Sequence, residues 1–282
     1  MNKTLTAKIF MWIAFAVFAV YAITLIFPFV WMFFNSFKDN PEFFQNPWNM
    51  PKEFLFKNYT TALNVQVSGG FTFVPVLINS AIYSVVSTVI AIMFPFFAAY
   101  ACSKYRFRLR GLCTLLTLIM LCVPIVGQTA ATYKLFSDLS LYNNWYWGLF
   151  LVGSGGFGGT FLMIKAALDN TSWTYAEAAF IDGASDFKVM VKIMLPMVKP
   201  ILVILAIMGF IGAWNDYTSI WLFAPSYPTI GVAIKNIIDN VNEYGYPVMF
   251  AIMLISIVPV LIIFIAFQNT IMNHFIIGGL KG

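Results

Sequence analysis

The sequence predicts an all-α integral membrane protein with six transmembrane helices in a single domain over residues 1–282, on three observations. Hydrophobic residues make up 61% of the chain and charged residues 10%, where a soluble domain carries roughly 25% charged residues. Charge-free runs at 9–37, 58–103, 111–133, 139–164 and 244–280 are each long enough for at least one crossing of about 20 residues. Lys and Arg, finally, fall mostly on one side once these crossings are laid out.

The first span is placed at Ile9–Phe34. Its apolar run exceeds the roughly 7–15 residues of a secretory signal core and no small-residue cleavage site follows, so it is expected to remain as a helix. The others are placed at Pro75–Cys102, Leu112–Tyr133, Trp145–Ala167, Pro200–Phe223 and Val248–Phe267. After the first span, DNPEFFQNPWNMPKEF alternates proline turns with aromatics and reads as an ordered, extended cover on the outer surface. With the N-terminus inside, the cytoplasmic side holds Lys3, Lys8, Lys104, Arg106, Arg108, Arg110, Lys165, Lys188, Lys192, Lys199 and Lys281, 11 of the 16 basic residues. Lys38, Lys52, Lys57, Lys134 and Lys235 remain outside, and both termini are cytoplasmic. The net charge of +5 therefore reports topology: membrane lipid is the expected surrounding and nucleic acid is not an expected partner. KYRFRLR, 104–110, reads as a short inside loop, and Gly231–Val241 as an amphipathic piece in the outer loop after span five.

No catalytic or metal constellation is present in the sequence. Cys102, Cys113 and Cys122 lie in or beside spans without metal spacing, and His274 has no second histidine. GSGGFGG, 153–159, satisfies G-x-G-x-x-G, yet no strand precedes it, so it predicts close helix approach and a bend through Gly155 and Gly159. No Gly-Lys dipeptide occurs, so a phosphate-cradling Walker loop is excluded and any ATP chemistry must come from a partner. Asn79 and Ser80 open span two, and either residue serves equally as a bond to a neighbouring helix or as lining of a path. Asp216, following Trp214 and Asn215, is an ionisable group at membrane depth: functional by default, or else hydrated or paired.

A mixed-polarity island, EAAFIDGASDFKVMVKIMLP, runs from Glu177 to Pro196. Thr174 and Glu177 stand in capping-box spacing, Ala178 and Ala179 give a thin helical surface, and Asp182-Gly183 signals a turn. Ser185 caps a second helix with Phe187, Met190, Val191 and Met194 on one face and Lys188 and Lys192 on the other; Pro196 ends it. The capping box alone describes a solvated loop equally well.

The full spacing is more specific. Glu177-Ala178-Ala179, three residues, Gly183, nine residues, then Ile193-x-Leu195-Pro196 resembles the cytoplasmic coupling loop of ATP-binding-cassette importer permeases. Ala213-Trp214-Asn215-Asp216-Tyr217, Asn58-Tyr59 and Asn79-Ser80 are similar to segments of the carbohydrate-importer permeases. Gly279-Leu280-Lys281-Gly282 resembles the end of permeases like the maltose importer's second membrane subunit. Ser172 departs from the family pattern, which usually has proline before the coupling helix. The resemblance implies a type I importer permease fold whose coupling loop, about 169–198, meets an ATPase through Glu177, Ala178, Ala179, Asp182, Gly183, Ile193, Leu195 and Pro196. It places Asn79, Ser80, Trp214, Asn215 and Asp216 at the translocation path or gate, and Gly279, Lys281 and Gly282 against the ATPase. It also implies a homologous second permease, two ATP-binding subunits that use ATP and Mg, and an extracytoplasmic solute-binding protein, all at a bacterial cytoplasmic membrane. A sugar or oligosaccharide is the implied solute. The alternatives are another polar solute on the same architecture, or a secondary transporter, for which Asp216 is the one clear intramembrane acid.

Overall fold

The computed structural model describes residues 5–67, 70–123 and 127–277, with side chains over 7–66, 70–123 and 127–268. Gly279, Lys281 and Gly282 lie outside the described residues. The chain divides into two compact units, Met1–Val65 with Asn236–Ile257, and Gln66–Lys235 with Val258–Gly282.

The first unit begins with α1, Leu5–Asn35, followed by the short helices α2, Asn40–Gln45, and α3, Lys57–Asn64. None of the most apolar stretch of α1 is buried, the exposure expected of a helix whose surroundings are lipid or another subunit. The segment after α1, expected as a cover on the outer surface, is ordered around a buried lysine. Lys38 Nζ donates to Asn35 Oδ1 at 2.9 Å and to the Asn46 carbonyl at 2.7 Å, and Asn58 Nδ2 donates to the carbonyls of Ser36 and Lys38. Burial holds the Lys38 ammonium below its ordinary pKa, with Glu42 opposing. Phe43 stacks on Tyr246, and Asn40 Oδ1 accepts from the Tyr246 amide at 3.1 Å.

In the second unit a two-residue ribbon, β1 (Gln66–Val67) paired antiparallel with β2 (Phe71–Thr72), leads into α4, Phe73–Lys104. Then come α5 (Arg110–Cys122), α6 (Gln128–Asp138), α7 (Trp147–Gly153) and α8 (Gly159–Asp169). The island forms α9 (Thr174–Ile181), α10 (Asp186–Val189), a π turn (Met190–Met194) and α11 (Leu195–Met197), and α12 (Lys199–Trp214) and α13 (Thr218–Phe223) follow. Helix α14 (Ile230–Asp239) matches the expected amphipathic piece and runs from this unit into the first, to which α15 (Val241–Tyr244) and the start of α16 (Tyr246–Ile277) belong; the rest of α16, from Val258, returns to the second unit. Helix α4 is the axis of this unit and packs against α8 and α12.

Among the described residues, three helices are long and apolar enough to cross a membrane unbroken: Ala7–Asn35, Phe73–Lys104 and Tyr246–Gln268. The spans expected at 112–133, 145–167 and 200–223 are each divided between two helices. In the first, α6 starts from Gly127 at φ 83°. In the second, Gly155, Gly156 and Gly158 fall in the break, Gly158 at φ 153°, and a β-carbon on Gly156 would lie 3.5 Å from that of Ala98 on α4. The glycine run thus provides both the bend and the close approach. In the third, the break falls at Asn215–Tyr217, and Asp216 receives the freed amide of Ser219 at 3.0 Å. Apolarity alone does not register such breaks, because each flanking helix satisfies its own backbone.

Candidate functional site

Helix α9 starts one step earlier than the capping-box spacing predicts. Ser172 Oγ accepts from the Thr174 amide at 3.3 Å, and the amides of Ala176 and Glu177 both go to the Trp173 carbonyl. Thr174 is therefore already inside the helix, its side chain makes no cap, and the expected Thr174–Glu177 box is not formed. Ser172, just before the helix, supplies the hydroxyl that receives its first amide.

The end of α9 follows the sequence closely. Gly183 adopts φ 79°, its amide bonds the Phe180 carbonyl at 3.0 Å, and the Ala184 amide bonds the Ala179 carbonyl at 2.9 Å. This is a Schellman motif with glycine at the left-handed position. Ser185 Oγ then accepts from the Lys188 amide and opens α10.

The second half departs from an α-helical count. Pro196 has no amide to offer Lys192, and an α turn would drive its ring into that carbonyl. The chain instead makes a π turn, in which the Leu195 amide reaches the Met190 carbonyl. Pro196 consequently sits inside a continuing helical segment rather than ending it; the axis turns by 76° only at Val198. The buried face is also re-phased. Val189 and Met194, five apart, are buried, while Phe187 and Val191, expected on that face, point out. Ala176, Val189, Met194 and Val198 join one core with Phe96, Ala99 and Tyr100 of α4 and Phe161, Ile164 and Leu168 of α8. Ala179, Ile193 and Leu195 pack partly against it.

The opposite face is uncovered and carries large apolar side chains among charged ones. Ile181 is 87% exposed, Phe187 69% and Tyr175 57%, and Glu177, Ala178, Asp182, Gly183 and Pro196 are exposed with them. The sequence-predicted coupling residues thus divide, with Ala179, Ile193 and Leu195 rooting the island and the others presented outward.

Sequence reasoning missed what fastens the island. Ser103 Oγ donates to Asp169 Oδ1 at 2.6 Å, and Lys104 Nζ donates to the carbonyls of Leu168 at 2.6 Å and Thr171 at 2.7 Å. Tyr105 Oη donates to Asp186 Oδ1 at 2.8 Å. Lys104 also lies 6.0 Å from the Trp173 ring centre. Burial alone would raise the pKa of Asp169, yet hydrogen bonds from Lys165 and Ser103 and the charges of Lys165 and Lys104 outweigh it and hold the carboxyl below the usual range. The one available signal was the adjacency of KYRFRLR to the end of span two, which reads as topology alone.

The residues expected along the path form a separate group. Ser80 is fully buried, its hydroxyl donating to the Val76 carbonyl and accepting from the Ile230 amide at 2.6 Å, so it braces the entry to α14. Asn79 Nδ2 reaches the Pro228 carbonyl at 3.4 Å. Tyr83 Oη donates to Asp216 Oδ2 at 3.4 Å. Trp214 is buried and stacks on Phe210, while Asn215 is exposed and bonds back to the Ile211 carbonyl.

Comparison with known proteins gives this arrangement its context. The chain is 28% identical over 266 residues to the probable ABC transporter permease protein YurM of Bacillus subtilis (strain 168), covering 93% of this chain and 86% of that one. It is 29% identical over 275 residues to the galactooligosaccharides transport system permease protein GanQ of the same organism, covering 94% and 93%. In fold it is similar to a chain of a bacterial ABC transporter involved in the import of the acidic polysaccharide alginate, with a TM-score of 0.82 at 24% identity, covering 95% of this chain and 99% of that one. Residues 91–274, which contain the whole island, match the family described as binding-protein-dependent transport system inner membrane component. On that match this chain belongs to the family: it is a multi-pass membrane component of a binding-protein-dependent transport system, with the type I importer permease fold and no catalytic activity of its own.

Proposed function

We propose that this chain is one permease subunit of an ATP-driven importer of a sugar or oligosaccharide, and that the Glu177–Pro196 island is the surface through which a separate ATPase drives it. The observation that carries the reading is the two-faced island, with an uncovered apolar face at Tyr175, Ala178, Ile181 and Phe187 and the opposite face rooted in the α4–α8 core. The oligosaccharide transport named for the Bacillus subtilis relative supports the solute class, and the excess of Lys and Arg on one side supports cytoplasmic termini. A homologous second permease forms the other half of the pathway, two ATPase subunits bind ATP and Mg, and an extracytoplasmic protein delivers solute. Closure of the ATPases pulls the island and rocks the helices, and ATP hydrolysis resets them. A cysteine at position 178 paired with one in the ATPase groove tests the contact. Cross-linking that appears only in the assembled complex supports the coupling reading, and none under any nucleotide condition rejects it.

The isolated chain is expected neither to bind nor to hydrolyse ATP, since it has no glycine-lysine phosphate cradle. Retention of a fluorescent nucleotide by the purified subunit would contradict this.

Asp216 provides a separate test. Its carboxylate accepts from both Tyr83 and the Ser219 amide, and asparagine keeps one acceptor for that amide. Asp216→Asn is expected to leave complex assembly intact and lower uptake, whereas Asp216→Ala also weakens the α13 start by about 1 kcal/mol. Unchanged uptake in the Asn variant would reduce Asp216 to a structural cap.

A further inference from the structure

Three consecutive residues at the inner end of α4 hold three separate points around the island. Ser103 takes the Asp169 carboxylate, Lys104 takes the carbonyls of Leu168 in the last turn of α8 and of Thr171 just past it, and Tyr105 takes Asp186 at the start of α10. A cation on the last carbonyls of a helix is favourable both by hydrogen bonding and by the helix dipole. Aromatic contacts continue the grip, with Tyr105 edge-on to Trp173 and Trp173 against Phe180 of α9.

The other end of the same helix is fastened too. Asn79 and Ser80 hold Pro228 and Ile230 at the entry to α14, and Tyr83 holds Asp216 in the α12–α13 break. Both groups belong to α4, which stays one helix of 32 residues through Pro95, about 48 Å in all at 1.5 Å per residue. Its neighbours are interrupted, α7 from α8 at Ser154–Gly158 and α12 from α13 at Asn215–Tyr217. A displacement imposed on the island is absorbed at breaks along those two routes and carried through along α4.

We propose that Ser103, Lys104 and Tyr105 are positioning residues: a latch that makes α4 move with the coupling island and so delivers its displacement to Asn79, Ser80 and Tyr83 at the outer end. The proposal rests on the coupling reading above. The latch stays closed through the cycle, and the adjoining helix breaks do the bending.

The test uses the complete transporter in proteoliposomes, with both permeases, the ATPases and the binding protein. Lys104→Met with Tyr105→Phe keeps the side-chain bulk and removes the hydrogen bonds to Leu168, Thr171 and Asp186. The cross-link from position 178 to the ATPase and ATP hydrolysis are expected to persist, while solute imported per ATP falls at least about fivefold, the scale set by losing one hydrogen bond's net worth. An unchanged ratio overturns the latch. A complex that carries Ala178→Cys without the latch substitutions and never gives the cross-link overturns the coupling reading instead.

A second variant covers the case in which the first fails to assemble. In a background with Cys102, Cys113 and Cys122 replaced by alanine, Tyr105→Cys with Asp186→Cys is expected to import poorly until a short bismaleimide joins the two positions, and to recover once joined. If joining them blocks import, the contact must open during the cycle and the closed latch is wrong.

Discussion

Gly183→Val is expected to abolish transport and binding-protein-stimulated ATP hydrolysis while the permease still inserts and pairs. A β-carbon at this position would meet nothing within 4 Å, so the whole effect comes from the backbone. At φ 79° a β-branched residue is strained by about 1–3 kcal/mol. The cheapest escape is to unwind the Schellman turn, releasing the Ala184–Ala179 and Gly183–Phe180 bonds and swinging Ile181 and Asp182 away from their presented positions. Gly183→Asn, which tolerates left-handed geometry through its own local hydrogen bonds, is expected to recover much of the activity. Ala178→Asp should match Gly183→Val in phenotype by a different route, burying an unpaired charge in the docked interface. If Gly183→Val and Ala178→Asp both leave uptake and stimulated hydrolysis at wild-type levels, the island is an ordinary solvated loop.

Gly245→Val is expected to fail at an earlier stage, in folding and assembly. Gly245 combines φ 86° with a neighbour in the way, because a β-carbon there would collide with the Asn40 side chain. Asn40 Oδ1 also accepts from the Tyr246 amide at the start of α16. Moving it aside therefore adds a lost helix cap of about 0.5–2 kcal/mol to a backbone strain of about 1–3 kcal/mol. Yield in detergent and the temperature of unfolding should both drop, whereas Gly183→Val should leave them near wild type. Equal thermal stability of the two variants would show that the Asn40 contact carries no weight.

The contrast between these glycines marks what a sequence displays and what it conceals. Asp182-Gly183 announces its turn locally, and Ser185 its cap, because each acts on residues within three of itself. The long apolar stretches of α1, α4 and α16 are equally plain, since length and absence of charge suffice. Ser172 displaced Thr174 as the starting hydroxyl because two competent side chains lay two residues apart, and periodicity does not arbitrate between them. The inward turn of Val189 was hidden by assuming 3.6 residues per turn through a segment that Pro196 forces out of that period. The contacts of Tyr105 with Asp186 and of Tyr83 with Asp216 join residues 81 and 133 positions apart, and no local pattern in either partner announces the other. Ser80 shows the converse: its type and place were legible, but only the Ile230 amide on its hydroxyl reveals that it braces a loop.

The π turn at Met190–Met194 has a consequence for anyone who edits or grafts this segment. It stores one residue more than an α-helix of the same axial reach, and one residue corresponds to about 100° of rotation. The turn absorbs that residue, so the helix before it, Phe187 and Lys188 included, keeps its phase across the Pro196 site, whereas a deletion the turn does not absorb, in α10 or α11, would turn that face by more than a quarter of a circle. Chimeras that join an island from one permease to the helix of another must therefore match residue count through this stretch, or they will present the wrong side of a correctly folded helix to the motor.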